Sequence, residues 1–138
     1  NSGQYATFIG TRVGKNASLV RNSSGRQAMF LFDTVAEGNT NLVGTSIIFD
    51  ENWHHIVGTF DNGVGKLYVD GVLENTATKT APADLSTESS VIFGIGRDPS
   101  ATSRIFSGEI AIGTVYNRAL TASEITQNYN ALKGRYGL

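Results

Sequence analysis

Cysteine is absent from this chain of 138 residues. That absence removes disulfides, thiolate metal sites and cysteine nucleophiles together. Small extracellular domains of eukaryotes often rely on disulfides, so their lack favours a bacterial or viral source. Charge of either sign is sparse: charged residues make up 17% and the formal net charge is −1. The 11 lysines and arginines are scattered rather than gathered into a patch, which argues against nucleic acid as a partner. No apolar run approaches the roughly 18 residues of a membrane span, so membrane insertion is not expected. Only 2 prolines occur, and no repeat, linker or low-complexity tract is visible. The chain begins at Asn1 without a visible signal peptide, as expected of a processed product or a piece cut from a longer protein.

Signatures of catalysis are missing too. No Gly-x-Ser-x-Gly elbow presents a nucleophile. Gly94 and Gly96 lack the third glycine and the following helix of a dinucleotide loop. Asp50 and Glu51 are adjacent, so in a strand they would point to opposite faces, and they read better as the turn before Trp53. Glu109 stands alone on its segment. A retaining glycosidase needs two carboxylates about 5 Å apart, and no spacing here supplies them. His54 and His55 would also project to opposite sides of a strand, so their side chains cannot share one metal ion. One histidine packed near Trp53 and the other exposed is the expectation. Neither a catalytic residue nor a metal ligand is assigned.

What remains is a pattern of many strands. The chain has 16 glycines and 40% hydrophobic residues, and short runs rich in Val, Ile, Phe and Tyr recur between turn signals about every ten residues. Strands are predicted at residues 5–9, 17–21, 27–33, 45–49, 54–61, 65–70, 72–76, 89–95 and 107–116. Such spacing indicates a sandwich or barrel, in one domain spanning 1–138. Asp70-Gly71 is a two-residue hairpin signal, since glycine accepts a positive φ and aspartate tolerates it. Asp61-Asn62-Gly63 and Asn22-Ser23-Ser24-Gly25 mark further corners. The apolar register shifts across Gly113, which predicts a β-bulge in the last strand. One helix follows, with Thr121 as N-cap and Glu124 completing a capping box. Ile125, Tyr129 and Leu132 form its apolar stripe, and Gly134 is the expected stop. Residues 77–90 are polar, carry Pro82, and read as a surface connection between sheets.

Three segments in order carry a family resemblance. Trp53-His54-His55 opens one strand, Asp70-Gly71 ends the next, and Gly108-Glu109-Ile110 leads to Tyr116-Asn117-Arg118-Ala119-Leu120 and the Thr121-capped helix. Together they resemble the laminin-G-like, concanavalin A-like jelly-roll family. The resemblance implies an all-β, two-sheet antiparallel jelly-roll sandwich with one short C-terminal helix. It also implies that a strand bearing an aromatic residue usually precedes the 5–9 region. The expectation is therefore a longer parent protein, or an oligomer in which a neighbour covers that sheet edge, because a bare edge invites aggregation. The ending from Gln127 to Gly137 is similar to those of such modules in tailed-phage virion proteins.

The family also suggests where a ligand could sit. In its pentraxin-like branch calcium is held by an Asp-Asn pair and a later acidic cluster. Asn16 and Asp98 match that pattern, whereas Lys15, Gly96 and Arg104 depart from it, the lysine and arginine putting two cations where oxygens belong. No cofactor is expected, with calcium the only candidate. Asp98-Pro99-Ser100 also reads as a turn in which Asp98 bonds its own backbone. Lys15, Asn16, Arg97, Asp98 and Arg104 are the candidate ligand-binding residues, forming either a polar lip for a sugar or anion, or plain solvated surface. The tyrosines read as core or edge packing rather than sugar platforms. The expected function is a non-catalytic recognition or structural module on a virion surface or another extracellular assembly, with a glycan or a neighbouring subunit as partner. A free-standing carbohydrate-binding module is the alternative, and a glycoside hydrolase ranks last.

Overall fold

The computed structural model describes residues 5–11, 16–23, 25–35, 37–79, 85, 92–101 and 103–138. Among these the chain runs β1 (Ala6–Gly10), β2 (Ala17–Arg21), β3 (Gln27–Thr34), β4 (Gly38–Ile47), β5 (Ile56–Asp61), β6 (Val64–Val69), β7 (Val72–Thr78), β8 (Gly94–Ile95) and α1 (Ala122–Tyr136). The strands form two antiparallel sheets, ordered β4-β3-β2-β1-β8 and β5-β6-β7. This is the predicted sandwich with its single helix.

Turn chemistry builds the hairpins. Asp70 and Gly71 have φ of 50° and 79°, and Asn62 and Gly63 have 44° and 81°. Two successive positive φ values make the turn whose twist matches its flanking strands. They set the registers Val69↔Val72 and Asp61↔Val64. The core lies between the sheets. Ala28, Phe30 and Phe32 on β3 pack against Leu67 and Val69 on β6, with Leu42 and Ile48 beside them. The opposite face of β3 is buried too: Met29 and Leu31 pack with Val20, flanked by Tyr5 and Val43. Alternate residues of β3 therefore face two apolar clusters rather than a core and a wet side.

Glycine makes the sheet contact possible. A Cβ at Gly58 would strike the Phe30 ring, and one at Gly65 would strike the Phe32 ring. The aromatic rings of one sheet lie directly over bare backbone of the other, leaving no room for a methyl group.

The two margins of the sandwich differ. On one, β4 lies over β7 and the sheets are stitched by side chains. The Glu74 carboxylate accepts from the backbone N–H of Thr45 at 2.8 Å and of Ser46 at 3.2 Å. Asn75 Nδ2 donates to the Val43 carbonyl at 2.9 Å. On the other margin β2 lies over β5. There β1 and β8 continue the larger sheet, while the three-stranded sheet ends at β5.

Several expectations are corrected. The strand expected at 45–49 is β4 at Gly38–Ile47, because Asn39-Thr40-Asn41 is an edge strand with one wet side and carries little apolar signal. Residues 107–116 form no strand, and the Gly113 bulge goes with it. The helix passes Gly134 and ends at Gly137, whose φ of 71° and N–H bond to the Lys133 carbonyl close it. Bulges occur instead at Thr7/Ile9, Gln27/Met29 and Leu67/Tyr68. Of the strand expected at 89–95, Gly94–Ile95 is observed and 89–91 lies outside the described residues. The connection expected at 77–90 falls mostly outside them as well.

Two glycines should respond in opposite directions. Gly65→Ala is expected to lose about 1–3 kcal/mol through overpacking against Phe32. Gly134→Ala, with open space around the added methyl in the helix, is expected to gain about 0.5–1 kcal/mol. Urea unfolding of both variants checks this, and a tolerated Gly65→Ala would contradict the packing described.

Candidate functional site

The open margin holds a groove with a cavity volume of about 590 Å³. Its floor is apolar, made by Phe8, Leu19, Ile48, Phe49 and Phe106. The three phenylalanines support one another: Phe106 meets Phe8 edge-on at 5.0 Å and Phe49 at 6.1 Å, while Phe8 stacks on Phe49 at 6.3 Å. One rim is the chain from Glu51 to Ile56, leading into β5, and the other is the chain from Ser107 to Thr114. Leu132 and Tyr136 of α1 close one end.

The second rim explains the failed strand prediction. Every residue from 107 to 118 is exposed, including Ile110 at 37%, Ile112 at 51%, Val115 at 68% and Tyr116 at 50%. None from 107 to 116 has a positive φ, and none makes a backbone hydrogen bond to a described residue. Gly113 leans on the larger sheet, since a Cβ there would stand 3.3 Å from Ile9 Cδ1 and 3.4 Å from Ile95 Cδ1. The segment has strand composition and lies opposite β1 and β8, but it pairs with no described strand.

The first rim is locked by a histidine between two acids. His54 Nδ1 lies 2.8 Å from Asp70 Oδ2 and Nε2 lies 2.9 Å from Asp50 Oδ1. Asp70 also accepts the His55 N–H at 2.8 Å, and Asp50 accepts the Asn52 N–H at 3.1 Å. The hairpin Asp70-Gly71 is thereby tied to the loop that frames the groove. Burial alone would lower the His54 pKa, but bonds to Asp50 and Asp70 outweigh it and raise the pKa above its ordinary 6.5. Hydrogen bonds from His54 and then Asn52 hold Asp50 well below the usual carboxylate range. The two carboxylates sit on opposite sides of the ring, so they cannot chelate one ion with it. No metal-ligating cluster occurs among the described residues.

Burial lowers the pKa of His55, against the pull of Asp70. Its ring packs 6.2 Å from Tyr129, and Trp53 packs 5.5 Å from Tyr136. Neither histidine is exposed, contrary to the expectation for one of them. These contacts seat α1 on the rim, with Ile125 fully buried beneath it. The Thr121–Glu124 capping box forms as expected. Arg118 and then the Thr121 backbone N–H hold the Glu124 pKa down to about 2.

Of the predicted ligand-binding residues, Asn16, Arg97, Asp98 and Arg104 are not among those that line this groove. Asp98 is 0% exposed. It accepts from the Ser100 N–H at 2.8 Å, from Ser100 Oγ at 2.6 Å and from Arg104 at 2.8 Å. The guanidinium of Arg104 in turn lies 5.9 Å from the Tyr5 ring centroid. Asp98 and Arg104 thus act as a turn and an ion pair fastening residues 97–105, where Arg97 bridges Ile105. Arg97 is exposed. Asn16, with φ of 54°, offers its carbonyl to the Asp33 N–H at 2.9 Å. Lys15 lies outside the described residues. The groove was missed because its floor residues read individually as core. The signal that could have found it is the recurrence of apolar residues (Phe106, Ile110, Ala111, Ile112, Val115 and Tyr116) over a stretch longer than one buried strand requires.

The family model described as Concanavalin A-like lectin/glucanases superfamily, a laminin-G type, matches residues 1–126. No curated protein matches. Among solved structures the chain is similar to residues 221–444 of an S-layer domain-containing protein from Clostridium thermocellum, at 21% identity and a TM-score of 0.47. The likeness covers 94% of this chain and spans 64% of that one, less than two thirds of its length.

The histidine clamp makes a pH prediction. A raised folded pKa means that its stabilisation is full below pH 6.5 and fades as pH climbs through the folded value. Asp50, held low, contributes above its ordinary 3.8 and is lost only as pH falls far below it. The stability difference between the wild type and His54→Gln should therefore be largest near pH 5–6 and shrink towards pH 9. Denaturant midpoints across that range test this, and a difference that grows with pH would contradict it.

Proposed function

Because the chain belongs to the concanavalin A-like lectin/glucanase superfamily, we propose that it is a non-catalytic recognition and structural module. It docks on a neighbouring subunit of an extracellular assembly, in the fullest form a virion, as a decoration or tail component. The carrying observation is the open margin, where residues 107–118 are exposed with Ile110, Ile112 and Val115 among them. Contiguous exposed apolar surface of this kind marks an interaction site. The resemblance of the closing residues to phage virion modules adds the assembly type.

Chemistry at the groove supports binding over catalysis. Glu51 and Glu109 face it from opposite rims, and both are exposed. Exposed carboxylates on opposite rims lack the enclosed, water-excluded setting in which a catalytic pair works.

A second reading, a free carbohydrate-binding module, draws on the superfamily and on the groove's aromatic floor and Trp53 rim. The two readings separate by mass. Light scattering and intact mass spectrometry of the native particle holding this chain should show a body far heavier than 14.7 kDa. A glycan array, with and without calcium, should stay silent. A monomer that gives a saturable glycan signal would overturn the module reading and establish the lectin.

A further inference from the structure

The clamp on the first rim sets a condition on the protons it holds. His54 Nδ1 lies 2.8 Å from Asp70 Oδ2, and Nε2 lies 2.9 Å from Asp50 Oδ1. Aspartates carry their charge near neutral pH, and an ionised carboxylate only accepts hydrogen bonds. Each of the two contacts therefore needs an N–H on the ring. A neutral imidazole has one N–H and one bare lone pair. The geometry is that of a doubly protonated ring, and the neutral ring cannot make it.

The two acids differ in how freely they can retreat. Asp70 is fixed: its Oδ1 takes the His55 N–H at 2.8 Å, and its own N–H bonds the His55 carbonyl at 2.8 Å. Asp50 is exposed, and its other side-chain bond is to Asn52 within the same turn. That turn is strained, because Glu51 stands at φ 72°, in the left-handed region that residues other than glycine seldom adopt. Loss of one ring proton leaves Nδ1–H on Asp70 and turns the Nε2 lone pair onto the Asp50 carboxylate. Repulsion and strain then act together on a turn whose next residue, Trp53, lines the groove.

We propose that His54 is a pH-operated latch on the groove: the doubly protonated ring holds both acids and fixes the rim, and loss of one proton frees the Asp50 side, so that residues 50–53 shift and the rim loosens. That the groove serves docking rests on the reading above, whereas the latch does not. Burial opposes the charged ring and the two acids overcome it. The latch therefore passes pH 6.5 still shut and opens as pH climbs further. The other ionisable groups nearby are Glu51 and His55 on the same segment, Tyr129, Lys133 and Tyr136 on α1, and Arg26 and Glu109 lining the groove. Only Asp50 and Asp70 raise the His54 value. Burial moves His55 the other way, so its own titration falls below 6.5.

Two titrations of the intact chain test this. NMR of the imidazole nitrogens follows the ring, and the emission of Trp53, the single tryptophan, follows the rim. The ring should lose its second proton with a midpoint above 6.5. Trp53 emission should shift at the same midpoint while far-UV circular dichroism stays constant. His54→Gln should abolish the shift. In Asp50→Asn the amide can accept from the charged ring or donate to the neutral one, so the ring should still titrate while the emission shift is lost. A ring midpoint at or below 6.5, a flat emission across the ring's titration, or a shift that survives in His54→Gln overturns the latch. So does a shift that persists in Asp50→Asn, which would mean that the charged ring quenches Trp53 without movement. The full set of shifts in a chain that docks on no particle sinks the docking reading alone, and docking by a chain whose Trp53 stays flat sinks the latch alone.

Discussion

A layer of apolar side chains can be kept dry only if the backbone at its margins is also satisfied. A bare N–H or C=O beside the core draws water in or leaves a buried polar group without a partner. This sandwich meets the demand at one margin with Glu74 and Asn75, whose side chains reach from β7 to the backbone of β4. At the opposite margin nothing described plays that part. The larger sheet extends by β1 and β8, the smaller one stops at β5, and the core opens into a groove. The exposed apolar residues between 107 and 116 follow from that mismatch.

The remaining machinery keeps the open margin from collapsing. Phe8, Phe49 and Phe106 lock edge to face and hold the floor. His54, gripped by Asp50 and Asp70, ties the rim to a hairpin whose glycine supports Tyr129 of the helix. Trp53 on Tyr136 completes the attachment. The Asp98–Arg104 pair fixes the turn before Phe106. Such half-buried ion pairs add little net stability, but their short bonds tie the groups they join into one arrangement. Here the arrangement specified is a preformed groove.

Much of the fold was legible because its signals are local. Asp70-Gly71 and Asn62-Gly63 have one conformational use, and Thr121-x-x-Glu124 has one as well. The turn at Asp98 could be read for the same reason: its carboxylate bonds a residue two positions on. What could not be read depends on neighbours distant in sequence. β4 is an edge, so half of its residues carry no apolar mark. The stretch 107–116 has every local property of a strand, yet pairing is a relation between two segments. Histidine 54 gave no hint that Asp70, sixteen residues on, would complete its clamp. The candidate binding residues came from positional likeness to a family branch; of them Asp98 and Arg104 pair with each other, and the described ones do not line the groove.

The most direct test of the open margin is amide hydrogen exchange on the isolated chain at high dilution. Amides of residues 107–116 should exchange at nearly the rate of an unstructured peptide, while those of β3 and β6 stay protected to the global limit. Strong protection across 107–116 in a dilute monomer would show that the margin is already closed, and the account built on it would fail.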